Sequence, residues 1–476
     1  MGPVFRLNDA PAKRRSIGFD PKSGSTFGSD ALTFMPRVGL AKAGRVLAGL
    51  VLASLVGGAA DKPAPLDVEH WRKAFARPDH IPIPADNPPT PEKVALGAKL
   101  FEETRLSGSG DMACSSCHQV ELSFSDGVER HIGHDGQPLD RRTPPLWNLA
   151  WGLSFFWDGR ASSLEVQAMV PIENEREMAG NLQTSLRELS ADPQIAKAFA
   201  AAFPDDPAVT QANLAKALAA FQRTLVSPET RFDRWVKGDD KALEPNELEG
   251  FSLFVGRAGC VACHQGWRFT DEAFHDIGLP SGDKGRGPIL GLSAANHAFK
   301  TPSLRERVWS APYMHDGSLA TLDDVVDHYA ERVVKRPTLS ADLPQRIELS
   351  ATERAQLVAF LNTLSSDDPP RPASLPARTM AWGTNVEAVP ASTISQKDRR
   401  FTPRAVLLKI GEALRILNDD TRVHNVRLDG PGKSFNSDAQ NPGDTVTIGF
   451  DQPGHYDIIC GIHPEMRLSV DVAQTR

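Results

Sequence analysis

Cysteine is scarce in this chain, with five among 476 residues. All five fall in three short motifs: Cys114-Ser115-Ser116-Cys117-His118, Cys260-Val261-Ala262-Cys263-His264 and Cys460-Gly461-Ile462-His463. This distribution leaves no cysteine for a structural disulfide. We therefore expect the cysteines to bind cofactors.

The sequence also lacks a large excess of charge of either sign and an apolar run long enough to cross a membrane. A formal net charge of -7 gives no reason to expect a nucleic acid as partner. The apolar run Val46–Val56 is shorter than the about 20 residues that cross a bilayer. Basic residues precede this run and small residues follow it, which is typical of a secretory signal. We therefore predict that residues 1–60 are an N-terminal extension with a signal peptide, and that the mature protein is periplasmic.

The pattern Cys-x-x-Cys-His occurs twice. In this pattern the two thiols form thioethers to a porphyrin, and the adjacent histidine becomes an axial ligand of the iron. A zinc ribbon built from two Cys-x-x-Cys pairs is the alternative, but it does not explain the histidine that follows each pair. The sequence predicts two covalently bound c-type haems, held by Cys114, Cys117 and His118 and by Cys260, Cys263 and His264.

The length suggests about three domains. A helix that starts at Thr90, with Pro91 in its first turn, leads to the first motif, and the apolar segment Leu248–Val255 leads to the second. This repetition predicts two related, mainly α-helical cytochrome domains. Apolar spacing predicts further helices over 185–203, 210–225, 322–333 and 352–364. We place the haem domains at 61–236 and 237–366, and a Pro-rich linker at 367–400.

Beyond residue 400 the pattern changes to short alternating runs between turn residues, which is typical of strands. The predicted strands are 406–410, 414–417, 445–448 and 456–459. We expect an all-β sandwich over 401–476, so the fold class is multidomain, with helical cytochrome domains followed by a β-domain.

The third cysteine motif has the residues of a blue-copper site, which needs two histidines and one cysteine with a distant axial methionine. Cys460, His463 and Met466 share one loop, and we expect His424 on an earlier strand. The alternative is a β-domain with an unrelated buried cysteine and histidine. A single cysteine excludes a binuclear purple-copper site. The sequence predicts one type 1 copper ion.

Motifs around these ligands resemble the plastocyanin/amicyanin class of cupredoxins. They are His424-Asn425-Val426, Pro442-Gly443, Pro453-Gly454-His455-Tyr456 and Cys460–Met466. The short Cys-x-x-His-x-x-Met loop is most similar to that of amicyanin.

The region from about 90 to 365 resembles the bacterial dihaem cytochrome c peroxidases and their methylamine-utilisation (MauG-type) relatives. Besides both haem motifs, the resemblance is carried by Phe156–Arg160, Leu279–Arg286, Lys300–Arg305 and Ala311–Gly317. It implies an enzyme with two haems that reacts with hydrogen peroxide.

The resemblance also implies roles for single residues. His118 would be the proximal ligand of the peroxide-reacting haem, and His134 the distal histidine; a solvated loop histidine is the alternative. Glu177 would be the distal glutamate that moves a proton between the peroxide oxygens, unless it is a surface charge. Trp157 would lie between the haems, although a buried tryptophan can also be core.

Two positions depart from the peroxidases. At the sixth-ligand position of the second haem the chain has Tyr329, as MauG-type enzymes do, and Met314 and His328 are the rival ligands. A phenolate favours the higher oxidation states of iron, whereas methionine raises the potential.

The second departure is Arg142, which occupies the position of the family's calcium-ligating asparagine. A guanidinium cannot ligate a cation. We expect Arg142 to supply the positive charge and calcium to be absent or weakly held, with the carbonyls of Ser310 and Pro312 as the remaining ligands.

Together these features predict a periplasmic dihaem peroxidase whose electrons pass through a fused blue-copper domain. Two alternatives stay open: a MauG-type oxidase that acts on a protein or amino-acid side chain, and a non-catalytic electron carrier. The expected partners are hydrogen peroxide and an external periplasmic electron donor or protein substrate, and a homodimer is expected by analogy.

Overall fold

The computed structural model describes residues 66–373, 377–379 and 388–474. They belong to one compact unit, Pro65–Arg476. The predicted signal segment lies outside the described residues. Within the described part of the chain, no helix combines the length and the apolar composition that a membrane span needs.

The first part of the chain is helical and carries both Cys-x-x-Cys-His motifs. Its α-helices are α1 (Val68–Ala74), α2 (Pro91–Phe101), α3 (Cys114–Cys117), α4 (Leu164–Glu173), α5 (Leu182–Ala191), α6 (Pro193–Ala202), α7 (Gln211–Arg223), α8 (Arg231–Val236), α9 (Pro245–Val255), α10 (Gly287–Leu290), α11 (Leu322–Asp327) and α12 (Ala351–Asn362). The prediction for α2 is confirmed: the hydroxyl of Thr90 caps it by accepting from the N–H of Lys93, with Pro91 in the first turn.

Two helix pairs show the internal repetition most directly. Helices α2 and α7 flank the first motif in the chain and pack on each other, as α9 and α12 do around the second. A glycine makes each close approach possible, because an added Cβ at Gly97 would lie 2.0 Å from the carbonyl oxygen of Ala217, and one at Gly250 would lie 1.9 Å from that of Gln356. In both haem regions, a glycine therefore allows two helices to pack closely.

Some predicted helices are divided. The segment 185–203 forms parts of α5 and α6, because the carboxylate of Asp192 accepts from the N–H groups of Gln194 and Ile195 and starts a new helix at Pro193. The segment 322–333 is α11 followed by a π-helical turn, His328–Arg332, which contains Tyr329.

The C-terminal part is all-β, as predicted. The strands of the described chain are β1 (Ile81–Ile83), β2 (Phe274–His275), β3 (Phe299–Lys300), β4 (Ala377–Thr379), β5 (Val389–Pro390), β6 (Thr393–Lys397), β7 (Arg400–Thr402), β8 (Ala405–Lys409), β9 (Ala413–Asn418), β10 (Arg427–Gly430), β11 (Lys433–Asn436), β12 (Thr445–Gly449), β13 (Gly454–Ile459) and β14 (Arg467–Ala473). One sheet has the order β11-β10-β13-β14-β8-β5 and the other β12-β9-β6-β7. Their shared core includes Ile416, Phe450 and Ile458.

The predicted linker over 367–400 needs correction, because β5 and β6 lie within it and pair with β8 and β9. Strand β6 alternates in burial, and its inward side chains are Ile394 and Gln396. Strand β4, also in the predicted linker, pairs with β1 of the helical part. The β-domain therefore begins before residue 401.

Candidate haem and copper centres

The two Cys-x-x-Cys-His motifs present their histidines in the same way. Nδ1 of His118 lies 2.8 Å from the carbonyl oxygen of Phe124, and Nδ1 of His264 lies 2.9 Å from that of Phe269. A carbonyl only accepts, so Nδ1 carries the proton and Nε2 is left to bind iron. Burial lowers the pKa of both imidazoles, which favours the neutral form that binds a metal. Both motifs therefore fit a c-type haem.

A cavity of about 800 Å³, here called the first cavity, contains the first motif. Cys114, Cys117 and His118 line it, together with Glu177 and Arg160. Burial raises the pKa of the Glu177 carboxyl, although the Arg160 charge opposes this effect. This carboxyl therefore keeps its proton to a higher pH than usual, as a group that exchanges protons with a substrate requires.

The structure does not bring His134 to the first cavity. Its side chain is exposed, and its backbone N–H donates to the carbonyls of Arg176 and Glu177. His131 lines the cavity instead, with Nδ1 3.3 Å from Oδ2 of Asp126. The sequence patterns did not single out His131. The signal that could have found it is its spacing along the chain, because His131 follows the first Cys-x-x-Cys-His motif much as His275 follows the second.

A second cavity, of about 190 Å³, contains Cys260, Cys263 and His264. Tyr329 and Met314 both line it. Burial raises the pKa of the Tyr329 hydroxyl, so the phenolate needs a bound cation to form.

The other rival ligand, His328, contacts a backbone carbonyl outside the second cavity. Its Nε2 lies 3.0 Å from the carbonyl oxygen of Ile277, and its side chain does not line the second cavity. Tyr329 as the ligand stays a prediction, with Met314 as its rival.

Trp157 and Arg142 lie between the two cavities and line both. The indole N–H of Trp157 donates to the carbonyl of Arg142 over 2.9 Å. The guanidinium of Arg142 is buried and donates to the hydroxyl of Ser125 and to the carbonyl of Ser310. Ser310 provides one of the carbonyls that we expected as a calcium ligand, and the cationic side chain of Arg142 contacts it. The absence of calcium stays a prediction.

The predicted copper ligands converge at one end of the β-domain. Sγ of Cys460 lies 3.7 Å from Nδ1 of His424 and 3.7 Å from Nδ1 of His463, and the two nitrogens are 3.1 Å apart. With bonds of about 2.0 Å to nitrogen and about 2.3 Å to sulfur at about 120°, a trigonal metal site would place sulfur about 3.7 Å from each nitrogen, as observed, and the nitrogens about 3.5 Å apart, so the observed nitrogens are somewhat closer. All three residues are buried, and the arrangement fits the trigonal plane of a type 1 copper site.

Neighbouring groups orient these ligands. Nε2 of His424 lies 3.1 Å from Oδ2 of Asp420, which directs Nδ1 towards the metal position. His424 is joined to Gln440 by a single bridge and lies outside the named strands, contrary to our expectation of a strand position. Met466 is buried on the loop, and its N–H donates to the carbonyl of His463 over 2.9 Å.

The copper loop contacts the haem region directly, which the sequence did not indicate. The N–H of Phe274 donates to the carbonyl of Ile462. Arg286 donates to the carbonyl of Gly461 on one side and to those of Asp158 and Gly159 on the other. The loop that contains Cys460 is therefore tied to the loop that contains Trp157.

Comparison with known proteins agrees with this geometry. Residues 91–241 match the family described as di-haem cytochrome c peroxidase. The chain is 49% identical over 304 residues to the methylamine utilization protein MauG of Methylorubrum extorquens, covering 63% of this chain and 86% of that protein. The chain belongs to the dihaem cytochrome c peroxidase/MauG family. Its members are oxidoreductases, and the predicted resemblance is confirmed.

Other dihaem relatives include peroxidases. The cytochrome c551 peroxidase of Nitrosomonas europaea is 36% identical over 294 residues, which cover 60% of this chain and 84% of that protein. A crystal structure of a MauG-like protein associated with microbial copper homeostasis has a TM-score of 0.56 at 32% identity, covering 62% of this chain and 94% of that one. Residues 373–470 match the cupredoxin-like domain, which confirms the predicted C-terminal fold.

Proposed function

We propose that this dihaem enzyme reduces hydrogen peroxide to water with electrons that enter through its copper domain. The observation that carries the proposal is the first cavity, where a half-buried carboxyl, Glu177, shares one space with the haem-binding residues Cys114, Cys117 and His118. A non-catalytic electron carrier has no need for a titratable group beside an enclosed haem.

The reaction consumes one peroxide, two protons and two electrons and gives two waters. When bound, the haems supply the iron that reacts with peroxide and stores oxidising equivalents, and copper supplies single electrons. Glu177 takes the proton from one peroxide oxygen and returns it to the other, so that water leaves. Asn174 holds this carboxylate by donating to Oε1 over 2.9 Å.

Trp157 is the proposed connection between the two haems. Its ring lines both cavities, and the hydrogen bond to the Arg142 carbonyl holds its orientation. An aromatic ring in this position shortens the gap that an electron must tunnel across.

We also propose that the enzyme works in the periplasm. The signal-like segment within residues 1–60 and the two covalent haem motifs support this location. An external periplasmic donor would then reload the copper site.

Stopped-flow spectroscopy of the holoprotein tests the proposal. The blue copper absorbance is first removed by reduction, and peroxide is then added without any other donor. We expect the blue absorbance to return, with at most two copper sites oxidised for each peroxide added, because each copper site supplies one of the two electrons. The control variant Cys460→Ser, which cannot hold type 1 copper, should react with peroxide without any such change. A holoprotein that leaves peroxide unreacted would refute the proposal.

A second candidate is a MauG-type oxidation of a protein or amino-acid side chain. It is favoured by Tyr329, which lines the second cavity, and by the 49% identical relative that is named a methylamine utilization protein. In that case peroxide would be consumed at the same rate with oxidised or reduced copper, and mass spectrometry would find an oxidised co-substrate.

A further inference from the structure

His275 lies between the copper site and the second haem motif. Its ring centroid is 6.5 Å from that of the copper ligand His463, within the range of aromatic contacts. On its other side, a ring nitrogen of His275, the sulfur of Cys263 and a carboxylate oxygen of Asp271 all lie within 4.8 Å of one another. One buried imidazole thus lies beside a ligand of each centre.

The side chain of His275 is held in a fixed orientation. Nε2 lies 3.0 Å from Oδ2 of Asp271, and Nδ1 lies 2.9 Å from the hydroxyl of Ser340. The group Cys263–Asp271–His275 has the residue types of a metal site, but the Cys263 sulfur is committed to the haem thioether. The arrangement therefore suits a bridge and not a further metal ion.

An arginine of the copper domain completes this bridge. The guanidinium of Arg399 donates to Asp271 over 2.7 Å and to the carbonyl of Ala262, inside the haem motif, over 3.1 Å. The backbone N–H of Arg399 donates to Asp420, which orients the copper ligand His424. A continuous set of hydrogen bonds thus runs from one copper ligand to the second haem motif.

Comparison of the two haem motifs shows that the bridge is specific to the second. At the first motif, His131 also pairs with a carboxylate, but through Nδ1 to Asp126, whereas His275 contacts Asp271 through Nε2. The side chain of His131 is 22% exposed, whereas that of His275 is 4% exposed and lies against His463 of the copper domain and Ser340 of the haem region. A histidine–carboxylate pair thus occurs beside each haem motif, and the second pair also lies next to the copper ligand His463.

We propose that His275, held by Asp271 and Arg399, is the positioning residue through which the copper site exchanges electrons with the haem bound at Cys260 and Cys263. The step moves one electron from reduced copper, which is oxidised by one unit, to the oxidised haem centre, which is reduced by one unit. His275 ends unchanged, and no proton is transferred. The inference rests on the proposed function only in that both cofactors must be bound.

Laser-flash reduction tests the inference without peroxide. A low-potential photoreductant delivers one electron to a haem of the fully oxidised holoprotein, and the loss of blue copper absorbance follows its arrival. We expect a phase whose rate does not depend on protein concentration. His275→Gln should slow this phase by about tenfold or more, the scale on which groups behind metal ligands act. His455→Gln, which replaces an exposed histidine of the copper domain, should leave it unchanged.

Copper EPR and haem absorbance show whether the variants keep both centres. If His275→Gln disturbs the copper signal, Arg399→Gln decides instead, since it removes the contacts to Asp271 and Ala262 from outside the ligand set. Unchanged rates in the variants that retain both centres, or a wild-type rate proportional to protein concentration, would overturn the inference. Fast wild-type transfer in a protein that does not reduce peroxide would refute only the proposed function.

Discussion

Replacing Arg142 by asparagine is expected to make this enzyme depend on calcium. The Arg142 side chain is 2% exposed and donates to the Ser125 hydroxyl over 2.9 Å and to the buried Ser310 carbonyl. Hydrogen bonds from a charged donor contribute about 1.5–3 kcal/mol each, so their loss costs about 3–6 kcal/mol. Removing a buried charge offsets part of this cost, and we expect a net destabilisation near the lower end, about 3 kcal/mol.

Calcium should restore most of that loss. The Arg142→Asn side chain would offer an oxygen beside the Ser310 carbonyl, and calcium binds such oxygen ligands. A cation at about 100 times its dissociation constant stabilises the folded protein by about 2.7 kcal/mol. The assay is thermal unfolding followed by far-UV circular dichroism, with either EDTA or calcium present.

The control for this experiment is Arg142→Met, which removes the same hydrogen bonds without adding a ligand oxygen. It should be destabilised equally in both conditions, and the wild type should unfold at the same temperature in both. A wild type that loses stability in EDTA would show that a cation, and not the guanidinium, fills this position.

Three further predictions concern the cofactor sites. Burial raises the pKa of the Glu177 carboxyl, so its proton-accepting form appears at a higher pH than that of an ordinary carboxyl. The rate of peroxide reduction should therefore rise with pH over this range. Glu177→Gln should abolish this rise and lower the rate by about 10²–10⁴-fold. Because the pKa of Glu177 is higher in the folded than in the unfolded protein, the free energy of unfolding of the wild type should fall as the pH rises through this range. Urea titrations of Glu177→Gln should not show this fall. Tyr329→Met should change the EPR signal of the second haem and raise its reduction potential in a spectroelectrochemical titration; an unchanged signal would mean that another residue is the ligand. Asp420→Ala should weaken copper binding by about 10–100-fold in a chelator competition, because no side-chain oxygen then orients His424, whereas Asp419→Ala, at an exposed position, should bind copper as the wild type does.

Local patterns in the sequence predicted the elements that depend on neighbouring residues. The start of α2 at Thr90 follows from one capping hydroxyl and one proline, and the structure has both. The copper ligands Cys460 and His463 lie on one short loop, so spacing alone indicated that they meet. The haem-binding histidines follow from the same kind of local spacing.

Features that depend on the tertiary arrangement were missed or misplaced. The side chain of His134 is exposed because its backbone N–H is held by the segment that carries Glu177, and no pattern in the chain indicates that contact. Strand β6 was assigned to a linker because its single short alternation is too weak to outweigh the prolines before it. The position of His275 beside His463 joins residues far apart in the chain, so only the folded structure shows it.

The contact between Arg399 and the second haem motif implies an order of assembly. Arg399 holds the carbonyl of Ala262, which lies between the two cysteines that must each bond to the porphyrin. Once the β-domain is in place, this hydrogen bond holds the loop from outside and opposes its opening around an incoming porphyrin. We therefore expect attachment of the second haem to precede the closing of the β-domain over this loop.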